Sequence, residues 1–201
     1  MSVKFFKRLS VLFCAVVCFG SVLLAGILKT SATKSVRAVY FVLTETESVQ
    51  ASAGEISLRG GAGYPIDGGV AFGVYFSLKE AEAATVEISK EYANTYIRNY
   101  SIKTLDKKGN LGVIFTSLQL VQGWIDVLEK GGRQSVVKNG LSEISSVLIK
   151  KGEDCKDILS FELGEELEEI ASKTVFASEL RFFLCSACDR IKGERIHLIK
   201  A

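Results

Sequence analysis

An uncharged apolar segment near the N-terminus constrains this chain more than any other feature. Leu9 to Leu28 contains twenty consecutive residues without a charged side chain. An α-helix of that length rises about 30 Å, the thickness of the hydrocarbon core of a bilayer. The segment is longer than the apolar core of a secretory signal peptide, and no Ala-x-Ala-like cleavage site follows it. We therefore predict a retained single-pass transmembrane helix over residues 9–29, with a cleaved signal peptide as the alternative.

The charges beside this segment bear on its orientation. Lys4, Lys7 and Arg8 precede it in a short tail, residues 1–8, although basic residues also follow it. Closely packed positive charge favours retention of such a tail in the cytoplasm. We expect the rest of the chain, after a linker over residues 30–35, to lie outside the cytoplasm. The predicted localisation is therefore the cell membrane, with a cytoplasmic N-terminus.

Composition argues against several classes of function. The formal net charge of +2 gives no reason to expect a nucleic acid partner. The single histidine, His197, lies near the C-terminus, so a Ser/His or Cys/His catalytic pair is not expected. The sequence also contains no complete set of metal ligands. We predict a protein that is not an enzyme, with no catalytic residues, no metal and no cofactor.

Residues 36–104 predict a small α+β module. The expected order is strand, helix, short strand, strand, helix, strand, which is the βαββαβ ferredoxin-like arrangement with both helices on one face of an antiparallel sheet. Ser77-x-x-Glu80 is a capping-box pattern at the start of the second helix. The other expected elements are strands over residues 36–43, 70–77 and 94–102 and a first helix over residues 46–56.

Residues 105–201 change to a helical period. Apolar residues recur at steps of three and four, and glycines interrupt the pattern at Gly131-Gly132 and Gly152. Four amphipathic helices with short connections form a small bundle. The predicted fold class is therefore α+β, with a transmembrane helix, a βαββαβ module and a C-terminal region of about four helices.

Strand alternation predicts which face of the sheet stays open. The residues expected to face the two helices of the module are Val39, Phe41, Leu43, Val70, Phe72, Val74 and Phe76. The residues expected on the open face, and therefore at the ligand site, are Tyr40, Val42, Gly73, Tyr75, Tyr96, Arg98 and Tyr100. Tyrosine rings can stack on pyranose rings and donate hydrogen bonds, and Arg98 can pair with a sugar carboxylate. The alternative is that these tyrosines are half-buried sheet residues or a dimer contact.

Three stretches of the module carry a resemblance to a known family. They are Val39-Tyr40-Phe41-Val42, Gly60-Gly61-Ala62-Gly63-Tyr64, and Ala71 to Ser77 followed by Glu80-Ala81. Together they resemble a SPOR (sporulation-related repeat) domain, over about a third of the chain. The resemblance implies a bacterial, membrane-anchored protein whose exported domain binds peptidoglycan glycan strands at division or sporulation septa. Here the domain directly follows the membrane segment, whereas family members commonly carry it behind a long linker.

The predicted function is binding of peptidoglycan glycan strands during cell division or sporulation. The alternative is a non-catalytic scaffold that assembles with septal membrane proteins through the α+β module and the helical bundle. A third hypothesis, a thiol-dependent enzyme, would depend on Cys185 and Cys188.

Three motifs leave alternatives open. The glycine cluster from Gly60 to Gly69 can cradle a phosphate, but without a strand-to-helix context it predicts tight turns around a short strand. Glutamates over residues 162–169 can bind metal or act as acid and base, or they can form a solvated helix face. Cys185-Ser-Ala-Cys188 can be a pair of buried thiols, can share a disulfide with Cys155, or can serve metal or redox chemistry.

The predicted topology is testable in the native bacterial cell. A fluorescent protein fused to the N-terminus should label the membrane and concentrate at septa, because one apolar helix anchors the chain and the exported domain binds the wall. Loss of membrane labelling in the unaltered fusion would contradict the anchor, and uniform labelling would contradict septal binding.

Overall fold

The computed structural model describes residues 34–46, 48–105 and 110–198. The strands of this part are β1 (Lys34–Glu45), β2 (Tyr64–Ile66), β3 (Gly69–Tyr75) and β4 (Thr95–Leu105). The helices are α1 (Val49–Leu58), α2 (Leu78–Ile88), α3 (Asn110–Glu129), α4 (Gln134–Cys155), α5 (Ile158–Ser172) and α6 (Ala177–Leu198). These elements confirm the predicted α+β class. The apolar segment from Leu9 to Leu28 lies outside the described residues, and so do residues 106–109, just beyond the predicted end of the α+β module at residue 104.

The four strands form one antiparallel sheet in the order β2-β3-β1-β4. Strand β3 lies between β1 and β2, so α1 connects two strands that are separated by a third. Helix α1 packs beside β3, and α2 packs beside β1 and β4 on the same face.

Local sequence explains where several elements begin and end. The Ser77 hydroxyl accepts a hydrogen bond from the Glu80 backbone nitrogen at 3.3 Å, which caps α2 as the sequence predicts. Asp67 and Gly68 both have positive φ and form the two-residue turn between β2 and β3. Gly63 also has positive φ, and a Cβ there would lie 2.3 Å from the Ala53 carbonyl oxygen. The glycine cluster therefore forms tight turns around the short strand β2.

The predicted division of the sheet into two faces is wrong for β4. Residues that lie opposite each other in antiparallel strands point to the same face. The pairs between β1 and β4 are Leu43 with Tyr96, Phe41 with Arg98, and Val39 with Tyr100. The polar residues of β4 therefore share a face with Phe41 and Leu43, and Tyr40 and Val42 lie on the other face.

A bulge in β3 also breaks the predicted alternation. Val42 pairs with Gly73, but Leu43 pairs with Ala71, so Phe72 is an extra residue in β3. Val70 and Phe72 consequently pack with Val42 on one face, whereas Val74 packs on the other. Of the residues predicted to face the helices of the module, Val70 and Phe72 do so, whereas Val74 lies on the opposite face.

Both faces of the sheet are covered. Helices α1 and α2 cover the face that contains Val42 and Phe72, with Ile56 and Ala81 in that core. The C-terminal helices cover the other face, and their apolar residues form one continuous core with Phe41 and the neighbouring sheet residues. The expected open tyrosine face is therefore wrong, because its apolar neighbours need a covering layer and the helical region supplies it.

Among the described helices, α3 is long and apolar enough to cross a membrane. Its apolar side chains, including Ile114, Leu118, Val121 and Ile125, are buried in the core that faces the sheet. The same composition is expected of a core helix in a folded domain. The predicted anchor over residues 9–29 stays a prediction.

Helices α4 and α5 pack closely because small residues face each other. A Cβ on Gly152 would lie 2.6 Å from the Phe161 backbone nitrogen, and one on Gly164 would lie 2.9 Å from the Ile149 backbone nitrogen. The buried Ser145 hydroxyl donates a hydrogen bond of 2.8 Å to the Gly164 carbonyl oxygen. This approach leaves no room for a side chain at either glycine.

We expect Gly152→Ala to destabilise the fold by about 1–3 kcal/mol, since the new methyl group must displace backbone. Gly123→Ala is the matched control, because Gly123 lies in the interior of α3 with no atom close to its Cβ position. That variant should be more stable by about 0.5–1 kcal/mol through lower chain entropy. Urea denaturation of both variants measures these changes, and equal midpoints would contradict the packing.

Candidate functional site

The seven residues predicted to bind a ligand do not form one surface. Four of them, Tyr40, Val42, Gly73 and Tyr75, lie on the face covered by α1 and α2. The other three, Tyr96, Arg98 and Tyr100, lie on the face covered by the C-terminal helices. Val42 and Gly73 are buried, and the remaining five side chains are partly exposed. The two groups are separated by the thickness of the sheet.

The three β4 residues belong to an internal polar network around Asp67. The Tyr100 hydroxyl donates a hydrogen bond to the Asp67 carboxylate, and Arg98 forms an ion pair with it at 3.4 Å. Lys192 of α6 pairs with the same carboxylate at 3.3 Å and lies 4.3 Å from the centre of the Tyr100 ring. Arg98 also donates to the Tyr96 hydroxyl at 3.4 Å. These side chains therefore bind one another and tie α6 to the β2–β3 turn.

A cleft on the other side of the molecule brings Tyr75 together with groups from both halves of the chain. It has a volume of about 510 Å³. Strand β2 pairs with β3 from Gly69 to Ala71, and the cleft lies beside the following part of β3. Its lining residues are Ile56, Arg59, Gly60, Gly61, Phe72, Tyr75, Ala84, Glu87, Ile88, Glu91, Tyr92, Glu129 and Arg181.

The apolar part of the cleft contains three aromatic rings. Phe72 and Tyr92 make an edge-to-face contact with their centroids 4.8 Å apart. The Arg59 guanidinium lies 5.7 Å from the centre of the Tyr92 ring. The Tyr75 side chain and the Arg181 stem converge over Gly73, where a Cβ would lie 3.6 Å from the Tyr75 hydroxyl oxygen and 3.8 Å from Arg181 Cδ. The cleft therefore offers ring faces beside charged groups.

The Tyr92 hydroxyl is the unusual polar group of this cleft. Its oxygen is buried and makes no hydrogen bond of normal geometry with any described residue. Burial raises the pKa of Tyr92, and the Glu55 and Glu91 carboxylates add to the rise while Arg59 opposes it. The Glu55 carboxylate lies near enough to act as a hydrogen-bond partner in this rise, so the hydroxyl is weakly paired. A ligand with a hydrogen-bonding group could offer it a bond of better geometry if the hydroxyl turned toward the cleft.

Charged groups on the rim are arranged as ion pairs. Arg59 pairs with Glu91 at 3.0 Å and with Glu55 at 3.2 Å. Arg181 of α6 pairs with Glu129 of α3 at 2.6 Å. Both arginines thus present guanidinium groups that are already oriented by neighbouring carboxylates.

The other candidate motifs have structural partners. Arg190 of α6 pairs with Glu162 and Glu166, so these two glutamates join α5 to α6. Glu169 pairs with Lys173 at the end of α5 itself. Within the residues that the structure describes, no group of three His, Cys, Asp or Glu side chains could hold a metal ion.

The cysteine pair of α6 is buried, and Cys155 is half-buried at the end of α4. Burial raises the pKa of both the Cys185 and the Cys188 thiol, so both stay protonated at neutral pH. Nucleophilic attack and metal binding need the thiolate. The geometry therefore gives no support to the thiol-dependent hypothesis.

Of the residues that line the cleft, the predicted site contained Tyr75 alone. Two of the residues that it missed are Glu129 and Arg181. Both lie in helices beyond the α+β module, and their contact with Gly60 and Tyr75 depends on tertiary packing. One signal was available for the strand itself. A glycine inside an otherwise regular strand, here Gly73, often marks a bulge, and the bulge decides the face on which Tyr75 lies.

The Asp67 network predicts a change of stability with pH. The hydrogen bond from Tyr100, together with Lys192 and Arg98, lowers the pKa of Asp67. A carboxyl whose pKa is lowered by folding stabilises the fold above its unfolded pKa of about 4, and this stability is lost as the pH falls through the folded pKa. Asp67→Asn should cost less than about 1 kcal/mol at pH 7, because the site is partly exposed.

The difference between the wild type and Asp67→Asn should shrink as the pH falls from about 4 through the lowered folded pKa, because the carboxyl is protonated first in the unfolded state and then in the folded state. Asparagine tolerates the positive φ at this position, so the turn is preserved. Urea denaturation across the pH range measures the difference, with Glu82→Gln on the exposed side of α2 as the control. A difference that is independent of pH would contradict the role of the charge.

Comparison of the chain with protein-family models, with curated proteins and with solved structures found no match. The argument for function therefore depends on the geometry of the cleft and on the sequence patterns described above.

Proposed function

We propose that this chain is a non-catalytic binding protein for peptidoglycan glycan strands, with the cleft between α1 and α2 as its sugar site. Residues 9–29 anchor it in the cell membrane, and the rest of the chain lies outside the cytoplasm. The observation that carries this proposal is a cleft that brings the Phe72, Tyr75 and Tyr92 rings together with the Arg59 and Arg181 guanidinium groups.

The chemistry of the cleft supports a sugar in preference to an apolar ligand. Pyranose rings have apolar faces that stack on aromatic side chains, and their hydroxyls need hydrogen-bond partners around the edge. Tyr75 and Tyr92 supply ring surface, while Arg59 and Glu91 supply donors and acceptors on the rim. A wholly apolar ligand would leave the Tyr92 hydroxyl without a hydrogen bond of normal geometry.

The SPOR resemblance supports glycan binding, but at a different place on the module from the one that the sequence predicts. The strand order and the two helices on one face are those of the βαββαβ ferredoxin-like module predicted from the strand and helix patterns. The residues on which the sequence placed the glycan are divided between two covered faces, one under α1 and α2 and the other under the C-terminal helices. We therefore assign the glycan to the cleft, and this assignment retains Tyr75 from the predicted site.

A scaffold function is the second candidate, because the surface near the start of α6 exposes large apolar side chains. Phe176 is 62% exposed and Leu58 is 91% exposed. A groove of about 660 Å³ contains Phe176 and Phe182 together with Ser57 and Ala62. Exposed apolar patches mark contacts with other proteins.

Binding to purified peptidoglycan sacculi tests the glycan proposal. The full chain, solubilised in detergent, should pellet with sacculi, and Tyr92→Phe should weaken binding about 3- to 10-fold through the loss of one hydrogen bond. The same variant should unfold within about 1 kcal/mol of the wild type in urea, because the hydroxyl makes no hydrogen bond of normal geometry in the free protein.

Tyr100→Phe is the matched control, since Tyr100 lies on the opposite face and contacts Asp67. It should bind sacculi as the wild type does. Reduced binding by Tyr100→Phe with normal binding by Tyr92→Phe would move the site to the other face. Failure of the wild-type chain to pellet would contradict glycan binding and favour the scaffold.

A further inference from the structure

We propose that Arg181 recognises a carboxylate of the bound ligand, and that Glu129 occupies the position of this carboxylate in the free protein. The inference rests on the proposed function, because it assigns the chemical class of the glycan that enters the same cleft. That class is an acidic sugar.

The guanidinium of Arg181 is held in a defined orientation at the cleft. Its Nη1 donates a hydrogen bond of 2.7 Å to the Gly60 carbonyl oxygen, which belongs to the turn after α1. Its Nη2 donates to Glu129 Oε1 at 2.6 Å. The Arg181 side chain is 18% exposed, so its charge is largely withdrawn from water. The bond to Gly60 would keep the group in place if Glu129 moved away.

Glu129 is well suited to be replaced by a ligand. Its side chain is 46% exposed and lies in the last turn of α3 at the rim of the cleft. Exchange of this carboxylate for another would keep Arg181 paired, because the ligand would replace Glu129 as Glu129 turned toward solvent and the bond to Gly60 would stay. A guanidinium also presents five donors in a planar fork that fits a carboxylate, and the bonds to Gly60 and Glu129 use two of them.

The adjacent groups explain why the ligand carboxylate would belong to a sugar. The Tyr75 ring and the Arg181 stem both lie over Gly73, so an aromatic ring is near the charged group. Tyr92 supplies a second ring in the same cleft, with Arg59 over its face, and a hydroxyl that makes no hydrogen bond of normal geometry. A sugar ring with a carboxylate substituent matches this combination of a ring face, a neutral hydrogen-bonding group and a cation.

Arg98, the residue that the sequence suggested for this role, is engaged by Asp67 on the other face. Arg181 lies beyond the part of the chain that resembles a SPOR domain. Carboxylate recognition by this route would therefore be a property of the C-terminal helices of this chain.

The probe is a set of purified glycan strands that carry free lactyl carboxylates, compared with the same strands after reduction of these groups to alcohols. Wild-type full-length chain should bind the carboxylate strands about tenfold more tightly, as expected of a charge-assisted hydrogen bond. Glu129→Gln should strengthen binding of the carboxylate strands by up to about fivefold, because it frees the guanidinium. Binding of the reduced strands should change less, so that the ratio of the two affinities rises.

Arg181→Gln should abolish the preference for carboxylate strands. Arg190→Gln is the matched control on the same helix, because Arg190 pairs with Glu162 and Glu166 away from the cleft. It should retain the preference. If Arg181→Gln does not fold, the comparison of the two strand types with wild type and Glu129→Gln still decides the question.

Equal binding of both strand types by the wild type would overturn the role of Arg181 and leave glycan binding intact. Binding of neither strand type would contradict the proposed function itself. A preference that survives in Arg181→Gln would assign carboxylate recognition to another cation.

Discussion

The packing of the C-terminal helices on the sheet is the interaction on which the rest of this structure depends. The strands carry apolar side chains on both faces, so α1 and α2 alone would leave Phe41, Leu43 and their neighbours in water. Burial of such residues contributes about 1.5–3 kcal/mol for each large side chain. The helical region supplies the second covering layer, and the sheet with its four C-terminal helices shares one core. The α+β module is therefore not expected to be stable without it.

This packing also decides where a ligand can bind. A sheet covered on both faces has no open surface for a glycan, and a permanent apolar core is not displaced at low cost. The accessible surface lies along the part of β3 that β2 does not pair with, where the helices of both covering layers meet. There α1, α2, α3 and α6 surround the Tyr75 end of β3 and leave a cleft. The candidate site is therefore a product of both halves of the chain, and its polar groups come from Arg59 on one side and Arg181 on the other.

The polar groups around Asp67 are paired with one another, whereas those in the cleft keep hydrogen-bonding capacity for a ligand. Around Asp67 each charge has a partner, and the network joins β4 to α6. In the cleft the Tyr92 hydroxyl makes no hydrogen bond of normal geometry, although Glu55 is near it, and Arg181 has donors beyond those used by Gly60 and Glu129. Poorly paired buried groups reduce stability, so they are expected mainly where binding of a ligand compensates for them.

The sequence by itself determined the order and type of the elements, since strand alternation, the Ser77 cap and the helical period act within a few residues. It did not determine which residues share a face. The β1–β4 register and the bulge beside Gly73 arise from pairing between distant strands, and a shift of one residue exchanges the two faces. Only the tertiary structure placed Arg181 and Glu129 beside Tyr75, because helix packing brings together residues more than fifty positions apart along the chain.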